Sequence, residues 1–205
     1  MPALRFLVGA LFRFRWAGSG AIAFYVTSSN IHCPPYIYTF IMQNSRDIRQ
    51  LKAEWITIEN FRDYGQVIFP SEDGKCFDET DAQLNLRNGV PRFYIMRLKH
   101  KRLQFDRITR HDRGTQCLGS LEGKTWYIAV APPSLDDKPE CDRLAAFRIP
   151  GNCLIKLEVG TWHAGPYFDE EFVDFYNLEL SDTNVVDHFS YSFLQQEGLS
   201  FEILK

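Results

Sequence analysis

From Trp55 to the end of the chain, short runs of alternating or wholly apolar residues recur between clusters of Gly, Pro, Asn and Asp. That rhythm belongs to antiparallel barrels and sandwiches, not to helices. The runs predicted as strands are Gln66–Phe69, Arg92–Leu98, Leu103–Arg110, Gln116–Leu121, Thr125–Ala131, Ala145–Ile149, Leu154–Thr161, Val173–Leu180 and Ser200–Leu204. One short helix is expected over Glu59–Tyr64, where Phe61 and Tyr64 stand three apart and can share a buried face. Pro132–Cys141 begins with two prolines and contains Asp136-Asp137-Lys138-Pro139, so it reads as a long solvated loop between the two halves of a barrel.

Alternation also assigns faces. In Ile155–His163 the apolar set 155, 157 and 159 lies on one side and Lys156 and Glu158 on the other. His163 shares the parity of the apolar set and is expected to point inward at the barrel's mouth. By the same rule Phe105, Arg107, Thr109 and His111 share a face, and a cation such as Arg107 suits that face only if it borders a wet or ligand-filled cavity.

The polar residues on these two segments have a definite spacing. Four residues separate His111 from Gln116, six separate Gln116 from Gly123, and Gly160-Thr161-Trp162-His163 places a second histidine behind a glycine. Taken singly, His163, His111 and Gln116 are each explained by a hydrogen-bonded structural role. Their joint spacing resembles the paired motifs of the cupins, small β-barrels that carry their chemistry on inward side chains. Gln116 stands where that pattern has Glu, Glu158 where it has Pro, Tyr167 where it has Asn, and Thr109 at the fourth ligand position. His111, Gln116 and His163 are therefore the candidate metal ligands. With an amide replacing the carboxylate, the expectation is either a weakly held divalent ion or none, the cavity then binding substrate by hydrogen bonds alone. His100, in the basic turn Lys99–Arg102, is expected to be solvated, and His188 to pack or face solvent.

Composition limits the partners. A chain of 205 residues with 45% hydrophobic content and no internal repeat supports one substantial core. Residues 1–46 hold four arginines and no acid, which leaves 19 basic against 26 acidic side chains over 47–205, a formal charge of −7. A domain that acidic is a poor match for nucleic acid. Five cysteines, Cys33, Cys76, Cys117, Cys141 and Cys153, form no C-x-x-C pair and read as free thiols of a reducing compartment. The first 46 residues are expected to be an unstructured or transit-like extension, or the product of a start upstream of Met42; Arg5, Arg13 and Arg15 interrupt any membrane span there. The expected location is intracellular, cytoplasmic or organellar, with a small-molecule substrate and no membrane partner. The aromatic-rich segments Val173–Leu180 and Phe189–Phe193 suggest a homodimer.

From about Lys52 to Leu204 the chain resembles the ureidoglycolate lyase family of single-domain cupins. The carriers are Asn60-Phe61-Arg62-Asp63-Tyr64-Gly65-Gln66-Val67-Ile68, then Arg110-His111-x-x-Gly114-Thr115-Gln116, and Trp162-His163 with Val173-Asp174-Phe175. Gly119–Tyr127, with Lys124 and Trp126, departs from the family pattern, and the first 46 residues have no family counterpart. The resemblance implies an all-β fold, a cupin-type antiparallel, jelly-roll-like barrel with one or two short helices. It also implies an enzyme of allantoin and purine breakdown that splits ureidoglycolate into glyoxylate and urea. It makes His163 a general base or metal ligand, His111 its partner, and Gln116 a hydrogen-bonding group for the ureido moiety or a metal ligand. Arg107, Arg110 and Lys124 become candidates for the substrate carboxylate, although Arg110 has the parity opposite to His111. Asp174 is expected either behind a histidine or in a surface contact. Nickel, as a stimulating divalent ion, is a family property; here either no cofactor or weakly bound nickel or manganese is expected.

Overall fold

The computed structural model describes residues 11–17, 21–27 and 47–205. Leu11–Ala17 (β1) and Ala21–Thr27 (β2) pair antiparallel as a unit of their own. The expectations of a transit segment and of an alternative start concern residues that otherwise lie outside the described ones, as does Cys33.

The second unit runs Asp47–Trp55 (β3), Ile58–Phe61 (α1), Gly65–Ile68 (β4), Pro91–Lys99 (β5), Gln104–Phe105 (β6), Arg107–Arg110 (β7), Gln116–Ser120 (β8), Gly123–Ala131 (β9), Ala145–Gly151 (β10), Leu154–Leu157 (β11), Trp162–Tyr167 (β12), Phe172–Leu180 (β13), Thr183–Val186 (α2), Phe189–Ser192 (β14), Phe193–Glu197 (α3) and Leu199–Leu204 (β15). The strands make an eight-stranded sheet, β14-β7-β12-β9-β10-β3-β15-β6, and a five-stranded sheet, β4-β11-β8-β13-β5. Both are curled, and the unit they make is all-β with short helices, as expected from the sequence. Pairing in this unit is antiparallel except where β3 lies parallel to β10 and to β15.

Residues from both sheets close the main core. Trp126, Ile128 and Val130 of β9 meet Leu118 of β8, Ile155 and Leu157 of β11, and Val173 and Phe175 of β13. One end of this core is sealed by α1. Thr57 and Asn60 exchange side-chain-to-backbone hydrogen bonds of 3.2 and 2.8 Å, which start the helix and seat Phe61 edge-on to Phe147, 5.3 Å between centroids. The other face of the large sheet is not left to solvent. There Ile108, Trp162, Phe201 and Ile203 pack under Phe193 of α3. Phe193 is thus a core residue and not part of an apolar surface, whereas Phe93, Ile95, Phe172 and Tyr176 stay exposed on the outer side of β5 and β13.

Three local expectations change. Leu154–Thr161 is not one strand: β11 stops at Leu157, Thr161 N–H bonds Glu158 O at 3.0 Å, and Gly160 takes φ +82°. That turn carries the chain from the small sheet to the large one, so His163 belongs to β12. Lys156 does face away from Ile155, but it is 1% exposed and its ammonium is paired with Glu158. Its neighbour on that face is Gln66, directly opposite in the register, and Gln66 is stitched to Glu79 O, Asp81 O and Gln83 N of the overlying segment. Finally, Pro132–Cys141 joins β9 to β10, which are adjacent strands of one sheet. Among the described residues, no helix is long and apolar enough to cross a membrane.

Phe175, fully buried against Trp126 at 5.2 Å and Phe168 at 5.8 Å, sits where the two sheets meet. Phe175→Ala is expected to lower unfolding stability by about 3–5 kcal/mol. Denaturant midpoints with an unchanged m-value would establish this, and a loss under about 1 kcal/mol would mean the sheets do not close there.

Candidate functional site

Beyond Val130 of β9 and Leu118 of β8, on the side where the Glu158–Thr161 turn bonds the Tyr64 carbonyl after α1, the inner faces become polar. In the register, His163 lies opposite both Thr109 and Val130, and Thr109 lies opposite Ser190. Because Val130 belongs to the inter-sheet core, these residues point inward, and alternation brings His111 and His188 to the same side. The rings of His111 and His163 are 5.0 Å apart, and those of His111 and His188 are 5.8 Å apart. Thr109 and Ser190 share a hydroxyl hydrogen bond of 3.0 Å beside them.

The two motif histidines are held alike. His111 Nδ1 bonds the backbone carbonyl of Asp187, and His163 Nδ1 bonds that of Thr161 at 3.3 Å. A carbonyl can only accept, so each ring carries its proton on Nδ1 and leaves Nε2 as a free acceptor. Asp187 is itself fixed, its carboxylate taking the N–H groups of Asp112 (2.8 Å) and Arg113 (3.0 Å). Burial pushes the His163 pKa down to about 3, with the neighbouring His111 adding to the effect. Burial also lowers that of His111, opposed by the Asp187 hydrogen bond and by the negative charges of Asp187 and Glu179. Both rings are neutral at pH 7.

The facing wall comes from β8, β13 and β5. Gln116 Nε2 donates to Asn177 Oδ1 at 3.1 Å and to Glu179 Oε2 at 3.0 Å; Asn177 Nδ2 donates to Tyr94 Oη at 3.0 Å; Tyr94 donates to Glu179 Oε1 at 3.2 Å. Gln116, Asn177 and Glu179 are all buried. Arg92, opposite Glu179 in the register, rests its guanidinium 3.7 Å from the centre of the Tyr94 ring.

Of the residues named from sequence, His111 and His163 are brought together, and Gln116 lies on the opposing sheet. Arg107 keeps the histidines' face but is exposed, four residues (~13 Å of strand) from His111. Arg110 turns the other way. It is 9% exposed between Trp162 (4.7 Å) and Phe189 (4.9 Å) and is bonded to Asp112, Asp137 and the carbonyl of Asp136. Its charge is satisfied on the outer face by these partners. Lys124 is on the β8–β9 hairpin, at the end of β8 opposite Gln116. Asp174 has outward parity and forms a two-pronged pair with Arg97, both bonds 2.8 Å, which accounts for it without any contact to a histidine. The residues missed from sequence are Asn177, Glu179, Tyr94 and His188. Asn177 and Glu179 share the parity of Val173 and Phe175 along β13, a signal that was available; His188 carried none.

Two imidazoles with Nδ1 tied to carbonyls and Nε2 free are suited to a metal ion. A third ligand is not in place: among the described residues no three His, Cys, Asp or Glu side chains stand close enough to hold one ion, and Gln116 supplies no charge. The donor set therefore does not complete a metal shell.

Fold and site together define an all-β protein of two curled sheets, with a neutral histidine pair facing a buried amide–carboxylate network. The chain belongs to the ureidoglycolate lyase family, whose profile matches residues 48–192. A relative, the ureidoglycolate lyase of Saccharomyces cerevisiae, is 22% identical over 159 residues, covering 60% of this chain and 82% of that protein. A structure of Bacillus subtilis oxalate decarboxylase, determined in a study of its Mn(II) centres, superposes with a TM-score of 0.34 and 13% identity over 64% of this chain and 29% of that one, a likeness too slight to argue from.

The histidine environment predicts an acid-sensitive fold. In the unfolded chain both rings titrate near pH 6.5, whereas the folded values are lower, so the native state binds fewer protons as pH falls through that window. Stability of chelator-treated protein should therefore be full above about pH 6.5 and decline below it, by up to about 1.4 kcal/mol per pH unit for each fully shifted ring. Denaturant titrations at pH 7.5 and 5.0 would measure the slope. A slope no shallower in His163→Asn would contradict the assignment.

Proposed function

We propose that this protein cleaves ureidoglycolate to glyoxylate and urea. The observation that carries the reading is the pair of neutral, carbonyl-anchored imidazoles of His111 and His163 in a chain of this family. Ureidoglycolate is a hemiaminal, so its cleavage needs one proton taken from the hydroxyl and one delivered to the departing nitrogen. A single imidazole can do both. His111 Nε2 accepts the hydroxyl proton as the C=O bond forms and the C–N bond breaks, then returns that proton to the urea nitrogen. Sequence alone favoured His163 as the base. The environments favour His111, because Asp187 and Glu179 support its imidazolium while His163 is held neutral and serves as an acceptor toward the substrate. The small-molecule substrate and its breakdown pathway follow from the same reading.

A second reading has support in the absence of a charged residue at position 116 and of a third metal ligand among the described residues: a barrel that binds a small ureide or carboxylate without turning it over.

Glyoxylate release by the full chain, measured above the spontaneous rate with chelator and with added nickel or manganese, separates the two. Turnover is expected, with kcat reduced about 10²–10⁴-fold in His111→Ala and less in His163→Ala. Thermal stabilisation by ligand with no glyoxylate under any metal condition would replace the enzyme with the binder.

A further inference from the structure

The hydrogen bonds around Gln116 form a closed ring that runs from Gln116 to Glu179 by two routes. Asn177 donates to Tyr94, Tyr94 donates to Glu179, and Gln116 donates to both Glu179 and Asn177. Glu179 fixes the sense of the whole circuit, because a carboxylate accepts and never donates. Turning the Gln116 amide over would set its oxygen against the Glu179 carboxylate and the Asn177 carbonyl, two acceptor–acceptor contacts in a buried space. The amide nitrogen is thereby fully used, and what remains is Oε1. That oxygen is buried and has no hydrogen-bond partner in the protein, on a residue 8% exposed. A buried acceptor without a partner is rare and costly, and it is what a site built to receive a donor presents. The ring and the histidines share the inner face: Gln116 and Glu179 have the parity of Leu118 and Phe175, which pack in one core with Val130, the residue opposite His163.

We infer that Gln116 Oε1, locked as an acceptor by Glu179, Asn177 and Tyr94, selects ligands that offer N–H donors of the urea type. This rests on the ureidoglycolate reading and adds to it the group that tells a ureido compound from other small hydroxy acids. Glu179 is a positioning residue: it acts by denying the amide its other orientation. A ligand in which CH₃ replaces the terminal NH₂ has nearly the same size and shape but leaves Oε1 unpaired, and sites of this kind reject such analogues strongly.

The test compares two unreactive ligands on the full-length, chelator-treated protein by calorimetric titration. Ureidoacetate lacks the reacting hydroxyl, and N-acetylglycine also lacks the terminal N–H donors. Wild type is expected to prefer ureidoacetate by roughly 10- to 100-fold. In Glu179→Gln the new amide can donate as well as accept, Gln116 can turn over, and the preference should shrink to a few-fold. A general loosening of the barrel would weaken both ligands together and keep their ratio. Should Glu179→Gln fail to fold, Gln116→Met, which removes the acceptor in a chain of similar length, is expected to erase the preference.

Equal affinity of wild type for the two ligands would overturn the inference, as would a preference retained in Glu179→Gln or one that appears only after nickel or manganese is added. Glyoxylate release in the same preparations keeps the inference and the enzyme reading apart. Turnover without the preference defeats the inference alone, the preference without turnover defeats the lyase alone, and binding of neither ligand defeats both.

Discussion

A carboxylate placed between two sheets has to be fully hydrogen-bonded, and much of the barrel's polar end is organised by how Glu179 meets that requirement. Tyr94 and Gln116 come to it from the strands on either side of β13, and Asn177, two residues earlier on the same strand, links them. The sheet register must therefore be correct across three strands for any of these groups to be satisfied. A one-residue slip of β13 would bury Tyr176 and Leu178 in place of Asn177 and Glu179, and would also expose Val173 and Phe175. Polar and apolar demands thus select one register, which fixes the wall that His111 and His163 face.

Much of this was legible in the chain. Nearly every strand from Gln66 to Leu204 follows its apolar alternation, and the histidine pair lies where two spacings on distant segments put it. Position along a strand was less legible than position on a face. Asp174 is on a strand as expected and Lys124 falls just inside β9, yet one occupies the outer surface and the other the far hairpin, because chain separation says nothing about which strands become neighbours. β3 and β14 escaped notice for a different reason. β3 is largely exposed along its length and β14 is only partly buried, so neither shows a clean apolar period. The break after Leu157 was hidden because Glu158–Thr161 continues the alternation while Gly160 redirects the chain.

Arg110 has a structural use of its own. Its guanidinium lies between Trp162 and Phe189 and holds Asp136 and Asp137, while Trp162 Nε1 donates to Ser134 at 2.9 Å. The loop between β9 and β10 is thereby fastened to the back of the strands that carry His111 and His163. Fork geometry and a flat, stackable face are both used, and lysine offers neither.

His111 is also a junction of the backbone. Its ring takes the carbonyl of Asp187, its own carbonyl receives Gly160 N–H at 2.7 Å, and the peptides just after it are held by the Asp187 carboxylate. Three stretches far apart in the chain therefore meet on one residue, the last of them downstream of both sequence motifs. The proton arrangement of the imidazole is decided by a segment that contributes little to the core. A lineage that loosened only the segment Thr183–Asp187 would keep the sheets and still lose the tautomer, so in this fold the chemistry is the more fragile inheritance.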